Sequence, residues 1–277
     1  LTNYATSDLM ATYNEKEIGK LIKARKLRYL IVVPYLAKRM LKGKTLNNPS
    51  VSNLTHAFIG ADKTNPTVFT EFDSIMEKNN SKCRLLEGYG LTETVTVVVV
   101  NRTFDRKPGS VGKPFPDVKL KVIDENGNTL STNKNGQICI SAPCLALGYL
   151  NDKEATDKTF VTDENGIRWV LTGDEGYIDE DGFLFIKGRI KDMFKIAGFN
   201  IFPADIEDMT NKIEGVENCA AVYIDNPDHP YVHLFIKSDS KNIDTSELVK
   251  RVRKILSNEL IKYAVPEKIT VIDKLPL

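Results

Sequence analysis

Histidine, cysteine and tryptophan are scarce in this sequence, at three, four and one of 277 residues. No window offers about 18 consecutive apolar residues, so no integral membrane segment is expected. The apolar runs are of strand length, as at Val97 to Val100 with Val95 nearby. The start, Leu1-Thr2-Asn3, has no basic stretch leading into an apolar one, so a secretory signal is not expected. It has no methionine either, which suggests a chain that begins inside something longer or has been processed. Excess charge of one sign is also missing: 38 basic residues face 37 acidic ones, for a net charge of +1. That balance gives no field to attract nucleic acid or an anionic membrane, so no nucleic-acid partner is expected. Cys83, Cys139, Cys144 and Cys219 are scattered, which argues against a disulfide framework and for reduced thiols in the cytoplasm. Cys139 and Cys144 have a loosely metal-like spacing, but Cys139 falls in an alternating strand, which disfavours zinc. His229 and His233 are four apart, yet Pro230 forbids the helix that would align them, leaving two ordinary histidines.

What is present is ordinary globular chemistry, 42% hydrophobic and 27% charged. The length exceeds the usual range of a single core, so two or three domains are expected. Residues 1–102 alternate helix and strand. Glu15 to Arg25 has Ile18, Leu21 and Ile22 at helical spacing. Leu27 to Val33, interrupted only by Arg28, is an apolar run, the pattern of a strand buried on both faces. Pro34 and Pro66 open helices, and strands are expected at Leu54–Gly60, Cys83–Leu86 and Val95–Val100. This alternation implies a largely parallel sheet with helices on its faces. Over 103–187 the strands are short and joined by turns: Lys119–Ile123, Gln137–Ser141, Arg168–Leu171 and Phe183–Ile186, the texture of a small antiparallel β-barrel or sandwich. From 188 to 277 the pattern is a compact α+β domain. A helix starts at Pro203 and strands follow at Cys219–Ile224, Val232–Ile236 and Lys268–Ile272. A further helix is capped by Asp244, with Glu247 completing a capping-box pattern. The fold class expected is therefore multidomain: α/β, then β-barrel, then α+β.

Three strings carry chemistry. Gly88-Tyr89-Gly90-Leu91-Thr92-Glu93 follows a strand at the C-terminal edge of an α/β sheet, where ligands bind in such sheets. Its glycines allow close backbone approach, Thr92 offers a hydroxyl to a phosphate oxygen, Glu93 a carboxylate to Mg²⁺, and Tyr89 a flat face to a base. A purely structural turn would also use such glycines. Leu171-Thr172-Gly173-Asp174 places an aspartate after a Thr-Gly turn. A carboxylate there can accept both hydroxyls of a ribose, or simply cap its own backbone. Lys187-Gly188-Arg189-Ile190-Lys191-Asp192, running on to Ala197-Gly198, lies at the change of texture before the last domain, where a hinge belongs.

In this order and at these separations the three strings resemble the adenylate-forming superfamily of acyl-CoA synthetases, peptide-synthetase adenylation domains and beetle luciferases. The resemblance also covers Gly60-Ala61-Asp62, Pro108-Gly109-Ser110-Val111-Gly112-Lys113-Pro114, the stretch from Gly136-Gln137-Ile138 to Gly148-Tyr149-Leu150, and Tyr263-Ala264-Val265-Pro266. It implies that Gly60, Ala61 and Asp62 line the adenine side and that Tyr89, next to Gly90, stacks on adenine. Thr92 is implied to contact the α-phosphate, Glu93 to hold Mg²⁺, and Asp174 to bind the ribose with help from Arg189. Lys191 is the implied hinge, and Gly198 lies on the loop that receives the pantetheine arm. The implied reaction activates a carboxylic acid with ATP, releases pyrophosphate, and transfers the acyl group to CoA with release of AMP. The region from Pro203 to Glu207 looks more like acyl-CoA synthetases than peptide synthetases, although Asp205 replaces the commoner glutamate. Loading of an acyl carrier protein, and a non-catalytic nucleotide- or acyl-binding module, stand as the alternatives. The family's Gly/Ser/Thr-rich phosphate loop and its terminal catalytic lysine are not found between Leu1 and Leu277. The chain alone is therefore expected to be inactive in adenylation, and the acyl substrate is not legible.

Overall fold

A computed structural model describes residues 14–61, 64–226, 229–239 and 244–275. The chain divides into two compact units, one reaching from the N-terminal side to Gly88 and including Arg102–Arg106, the other holding Tyr89–Asn101 and everything from Lys107 onward.

The first unit is built from α1 (Glu15–Arg25), β1 (Tyr29–Val32), α2 (Pro34–Lys42), β2 (His56–Ile59), α3 (Pro66–Lys78) and most of β3 (Leu85–Gly90). Each helix begins where the sequence supplies a start signal. Asn14 caps α1 through its side chain, Pro34 sits in the first turn of α2, and Asn65 caps α3 just before Pro66. Strands β1, β2 and β3 pair in parallel, with Tyr29 opposite His56 and Ala57 opposite Leu85. The helices bury Ile18, Ile22, Leu36, Met40, Val68, Phe72 and Met76 in one cluster with Leu30, Val32, Ala57, Ile59 and Leu85. Burying each such large aliphatic side chain contributes about 1.5–3 kcal/mol. The expectation that the first strand is buried on both faces is not met. Tyr29 and Ile31 are 59% and 80% exposed. Their face of the sheet carries a row of stacked rings, Tyr29 on His56 and His56 on Phe58, 5.1 and 6.1 Å between centroids. The physical reason is that α1, α2 and α3 place their apolar stripes in the cluster with the alternate strand residues, so among the described residues only one sheet face has a helical cover.

The second unit opens with β4 (Val97–Val100) and β5 (Lys113–Pro114), which pair antiparallel. Strands β6 (Lys119–Ile123) and β7 (Gly136–Ser141) follow. Helix α4 (Lys153–Thr159) leads into β8 (Phe160–Thr162), β9 (Arg168–Ile178) and β10 (Leu184–Arg189). The sheet order is β10-β9-β7-β6, with β8 on β9 and an isolated bridge between Gly112 and Leu184 at the β10 edge. Its core gathers Val98, Val99, Val111, Ile138, Ile140, Phe160, Val170 and Leu184. Strand β9 runs seven residues beyond the expected end at Leu171, to Ile178.

Further along, β11 (Phe194–Ile196) and β12 (Phe199–Ile201) form a hairpin, followed by α5 (Pro203–Thr210), β13 (Val216–Ile224), β14 (Tyr231–Ser238), α6 (Thr245–Glu259) and β15 (Lys268–Val271). β13 pairs antiparallel and β15 parallel with β14. Leu248, Val252 and Leu256, four apart on α6, close this core against Leu234, Ile236 and Ile206. Asp244 caps α6 as expected, but the capping box is not completed: the Glu247 carboxylate pairs instead with Arg251, one turn on, at 3.3 Å. His233 bonds to Thr270 at 2.9 Å and His229 to Glu267 at 2.6 Å, so both histidines are satisfied locally.

Candidate nucleotide site

Asp174 reaches its position through a bulge. Along β7 and β9, Gln137 faces Glu175 and Cys139 faces Leu171, so Thr172, Gly173 and Asp174 all stand opposite the single residue Ile138. Gly173 takes φ +71°, which a glycine adopts without steric cost. Thr172 fixes the bulge: its hydroxyl donates to the Ile138 carbonyl at 2.8 Å and accepts the Asp174 N–H at 3.0 Å. The turn expected from the sequence is therefore a bulge within a long strand. On β10 a second irregularity between Ile186 and Gly188 brings Arg189 directly opposite Asp174.

The carboxylate of Asp174 is 4% exposed with both oxygens engaged. Oδ1 lies 2.9 Å from Arg189 Nε, and Oδ2 accepts the hydroxyl of Tyr89. Burial is the main influence and raises the Asp174 pKa above its ordinary value of 3.8; the Tyr89 hydrogen bond and the Arg189 charge oppose that rise. Burial, followed by the negative charge of Asp174, also pushes the Tyr89 hydroxyl well above its ordinary range, so Tyr89 is a stable donor.

Tyr89 and Gly90 form the end of β3 rather than a turn after it. A Cβ on Gly90 would stand 2.2 Å from the Thr96 carbonyl, so only glycine fits this close approach. One turn of 3-10 helix then presents Thr92 and Glu93. Thr94 anchors it from below: fully buried, its hydroxyl accepts Leu91 N–H at 2.9 Å and donates to the Thr96 carbonyl at 2.8 Å. Val95, expected inside a strand, lies outside it at φ +64°, a conformation that a β-branched residue rarely adopts. Glu93 accepts a hydrogen bond at Oε1 from the Tyr149 hydroxyl, and its Oε2 has no partner among the described residues.

The second unit thus holds Tyr89, Gly90, Thr92, Glu93, Asp174, Arg189, Lys191 and Gly198, while Gly60 and Ala61 belong to the first. Asp62 lies outside the described residues. Gly60 follows β2 and approaches the Gly88 carbonyl so closely that a Cβ would be 3.0 Å from it. Lys191 is exposed in a single turn of 3-10 helix between β10 and β11. Ala197 and Gly198 form the two-residue β11–β12 turn, with φ of +50° and +84°. A cleft of about 290 Å³ is lined by Gly188, Arg189, Asp192, Phe202, Ala204 and Glu207, among others; of the polar cluster, Arg189 alone borders it. Among the described residues, no three or more histidine, cysteine, aspartate or glutamate side chains are grouped so that they could hold a metal ion by themselves. Burial lifts the thiols of Cys83 and Cys139 to about 11.

A family model described as AMP-binding enzyme matches residues 4–150, more than half of the sequence. The chain belongs to the AMP-binding enzyme family. It is 37% identical over 194 residues to a long-chain-fatty-acid–CoA ligase of Escherichia coli O157:H7, a match covering 69% of this chain and 33% of that protein. It is 29% identical over 279 residues to 4-coumarate–CoA ligase 1 of Glycine max, covering 98% and 92% of the two. The crystal structure of ATP-bound MatB from Rhodopseudomonas palustris superposes with a TM-score of 0.84 at 28% identity, over 97% of this chain and 51% of that one. Family and fold are thereby those of adenylate-forming enzymes, as the sequence resemblance implied. The chain spans about a third of the first curated relative and about half of that crystallised one. No helix among the described residues is long and apolar enough to cross a membrane.

Sequence reasoning assigned no role to Tyr149 or to Arg168. Tyr149 was visible inside the Gly148-Tyr149-Leu150 motif, but its partner is 56 residues away, and no local pattern signals that pairing.

Proposed function

We propose that this chain carries the nucleotide-handling and hinged parts of an ATP-dependent acid–thiol ligase, which makes an acyl-adenylate and passes the acyl group to CoA. The observation that carries this reading is the buried Asp174 carboxylate, shaped by a bulge and bracketed by Tyr89 and Arg189. Each carboxylate oxygen has two lone-pair sites, so a ribose diol can bind alongside or in exchange for its present donors. Tyr89 then offers its ring to the adenine, and the exposed Thr92 hydroxyl donates to an α-phosphate oxygen.

In the first half-reaction the substrate carboxylate oxygen attacks the α-phosphorus, and the bond to pyrophosphate breaks. Charge spreads over the phosphoryl oxygens, which is where Thr92 acts. A lone carboxylate fits Mg²⁺ that arrives on nucleotide phosphates, since this ion is commonly held by one or two carboxylates and phosphate oxygens. Glu93 would hold it, and it supplies neutralisation of the phosphate charge. In the second half-reaction the CoA sulfur attacks the acyl carbon, the anhydride C–O bond breaks, AMP leaves, and the thiol proton goes to solvent. Lys191 serves as the hinge between the two postures, and Gly198 stands on the hairpin that receives the pantetheine arm. Similarity to a fatty-acid–CoA ligase supports a fatty acid as substrate and CoA as acceptor.

The test is product analysis of the whole protein with ATP, Mg²⁺, a panel of fatty and aryl acids, and either CoA or a phosphopantetheinylated carrier protein. The expected outcome is AMP and pyrophosphate release that requires both a fatty acid and CoA. Release of ADP and phosphate would refute adenylate chemistry, and turnover with the carrier protein alone would replace CoA as the acceptor.

A further inference from the structure

The segment Ala146–Leu150 presents a puzzle of economy. Its Leu147 and Leu150 side chains are 95% and 91% exposed, so it contributes almost no core. Its backbone is nevertheless firmly tied. The Arg168 guanidinium, stacked 4.3 Å over the Phe160 ring, donates to the carbonyls of Ala146 and Leu147 at 2.7 and 2.8 Å. Tyr149 N–H donates to the Thr156 hydroxyl at 2.8 Å, which itself donates to the Asp152 carbonyl at the start of α4. Gly148 sits at φ +157°, and a Cβ there would stand 2.6 Å from the Thr156 methyl. Two ends of this scaffold meet one residue. Ala146 N–H donates to the Glu93 carbonyl at 2.8 Å, and the Tyr149 hydroxyl donates to the Glu93 carboxylate.

We propose that this loop is a positioning device for Glu93, with Tyr149 as the acting residue. It fixes one carboxylate oxygen so that the other faces the nucleotide's divalent cation in a single orientation. The proposal rests on the reading of Glu93 as the Mg²⁺-facing carboxylate. A flexible glutamate must lose rotamer freedom on meeting the cation, whereas a glutamate already held by Tyr149 has lost it in advance. Tyr149 is a positioning residue: it touches Glu93, not the reacting atoms.

The experiment titrates Mg²⁺ into the 277-residue chain with a fluorescent ATP analogue, alongside binding of the AMP analogue in EDTA. Tyr149→Phe removes one hydroxyl and leaves the loop's other bonds in place. The expected result is a Mg²⁺ midpoint raised roughly tenfold, the scale of losing one hydrogen bond to a charged group, with AMP binding in EDTA within about twofold of the parent. In a Glu93→Gln background the same substitution should add almost nothing, because the two act as one unit. An unchanged midpoint, or an equal shift in the Glu93→Gln background, overturns the proposal. Parent binding that ignores Mg²⁺ removes the cation role of Glu93 and this proposal with it. The ribose role of Asp174 is then judged separately, from AMP binding in EDTA.

Discussion

Replacing Asp174 by asparagine should pull binding and stability in opposite directions. The substitution keeps the shape of the side chain, so the bulge held by Thr172 survives, and the amide oxygen can still accept from Tyr89. What disappears is the negative charge. Two ribose hydroxyls would then meet a neutral amide that offers one acceptor and one donor group, and losing a charge-assisted acceptor should cost about 1.5–3 kcal/mol, or roughly 10- to 150-fold in AMP affinity. Stability should move the other way. Burial raises the Asp174 pKa in the folded chain above 3.8, so the folded state binds more protons than the unfolded state between those two values. Stability therefore falls as pH rises through that window, and at neutral pH the ionised carboxylate is held at a cost. Asparagine removes the cost. The lost partner, Arg189, is 51% exposed, and a pair with one exposed member loses little. The Asp174→Asn chain should thus melt higher than the parent at pH 7, with the advantage shrinking below the folded pKa and vanishing under pH 3.8. Calorimetric AMP titration and thermal melts across pH check both halves. Unchanged AMP affinity, or a lower melting point at pH 7, would refute the reasoning.

Three further outcomes are expected. Val95→Gly should stabilise the chain by about 1 kcal/mol, since relief of the strained positive φ outweighs the entropy of the added glycine and Val95 is already 70% exposed; a denaturant midpoint that falls would contradict it. Lys191→Pro, which restricts φ at the hinge, should leave ATP–pyrophosphate exchange by the whole protein largely intact while thioester formation drops steeply, and equal loss of both would place the hinge elsewhere. A thiol reagent at pH 7.5 should label the partly exposed Cys144 first and leave Cys83 and Cys139 unreacted, because burial holds both of those thiols at about 11; mass spectrometry of the labelled peptides decides the order.

The elements legible in the sequence were those with local signals. Pro34, Pro66 and Asp244 mark helix starts by the chemistry of their own side chains, and each stands at the start of its helix. Helical spacing marks Leu248, Val252, Ile255 and Leu256 as the apolar face of α6; the first, second and last are buried, whereas Ile255 is 36% exposed. What escaped depended on a partner strand. The Thr172-Gly173-Asp174 bulge is defined only against Ile138, and Arg189 meets Asp174 only because β10 has an irregularity of its own. Strand β1 looks doubly buried as a string of apolar residues, and its open face follows from the helices all choosing the opposite side. The site residues could be named from their motif order, yet the contacts that define the site, Tyr89 to Asp174 and Tyr149 to Glu93, span 85 and 56 residues.

The most direct test of the account is a crystal structure of this chain soaked with AMP. The account predicts the two ribose hydroxyls within hydrogen-bond distance of the Asp174 carboxylate, about 2.5–3.0 Å, with the adenine against the Tyr89 ring. AMP bound elsewhere on the chain, with Asp174 still held by Tyr89 and Arg189 and touching no ribose, would contradict it.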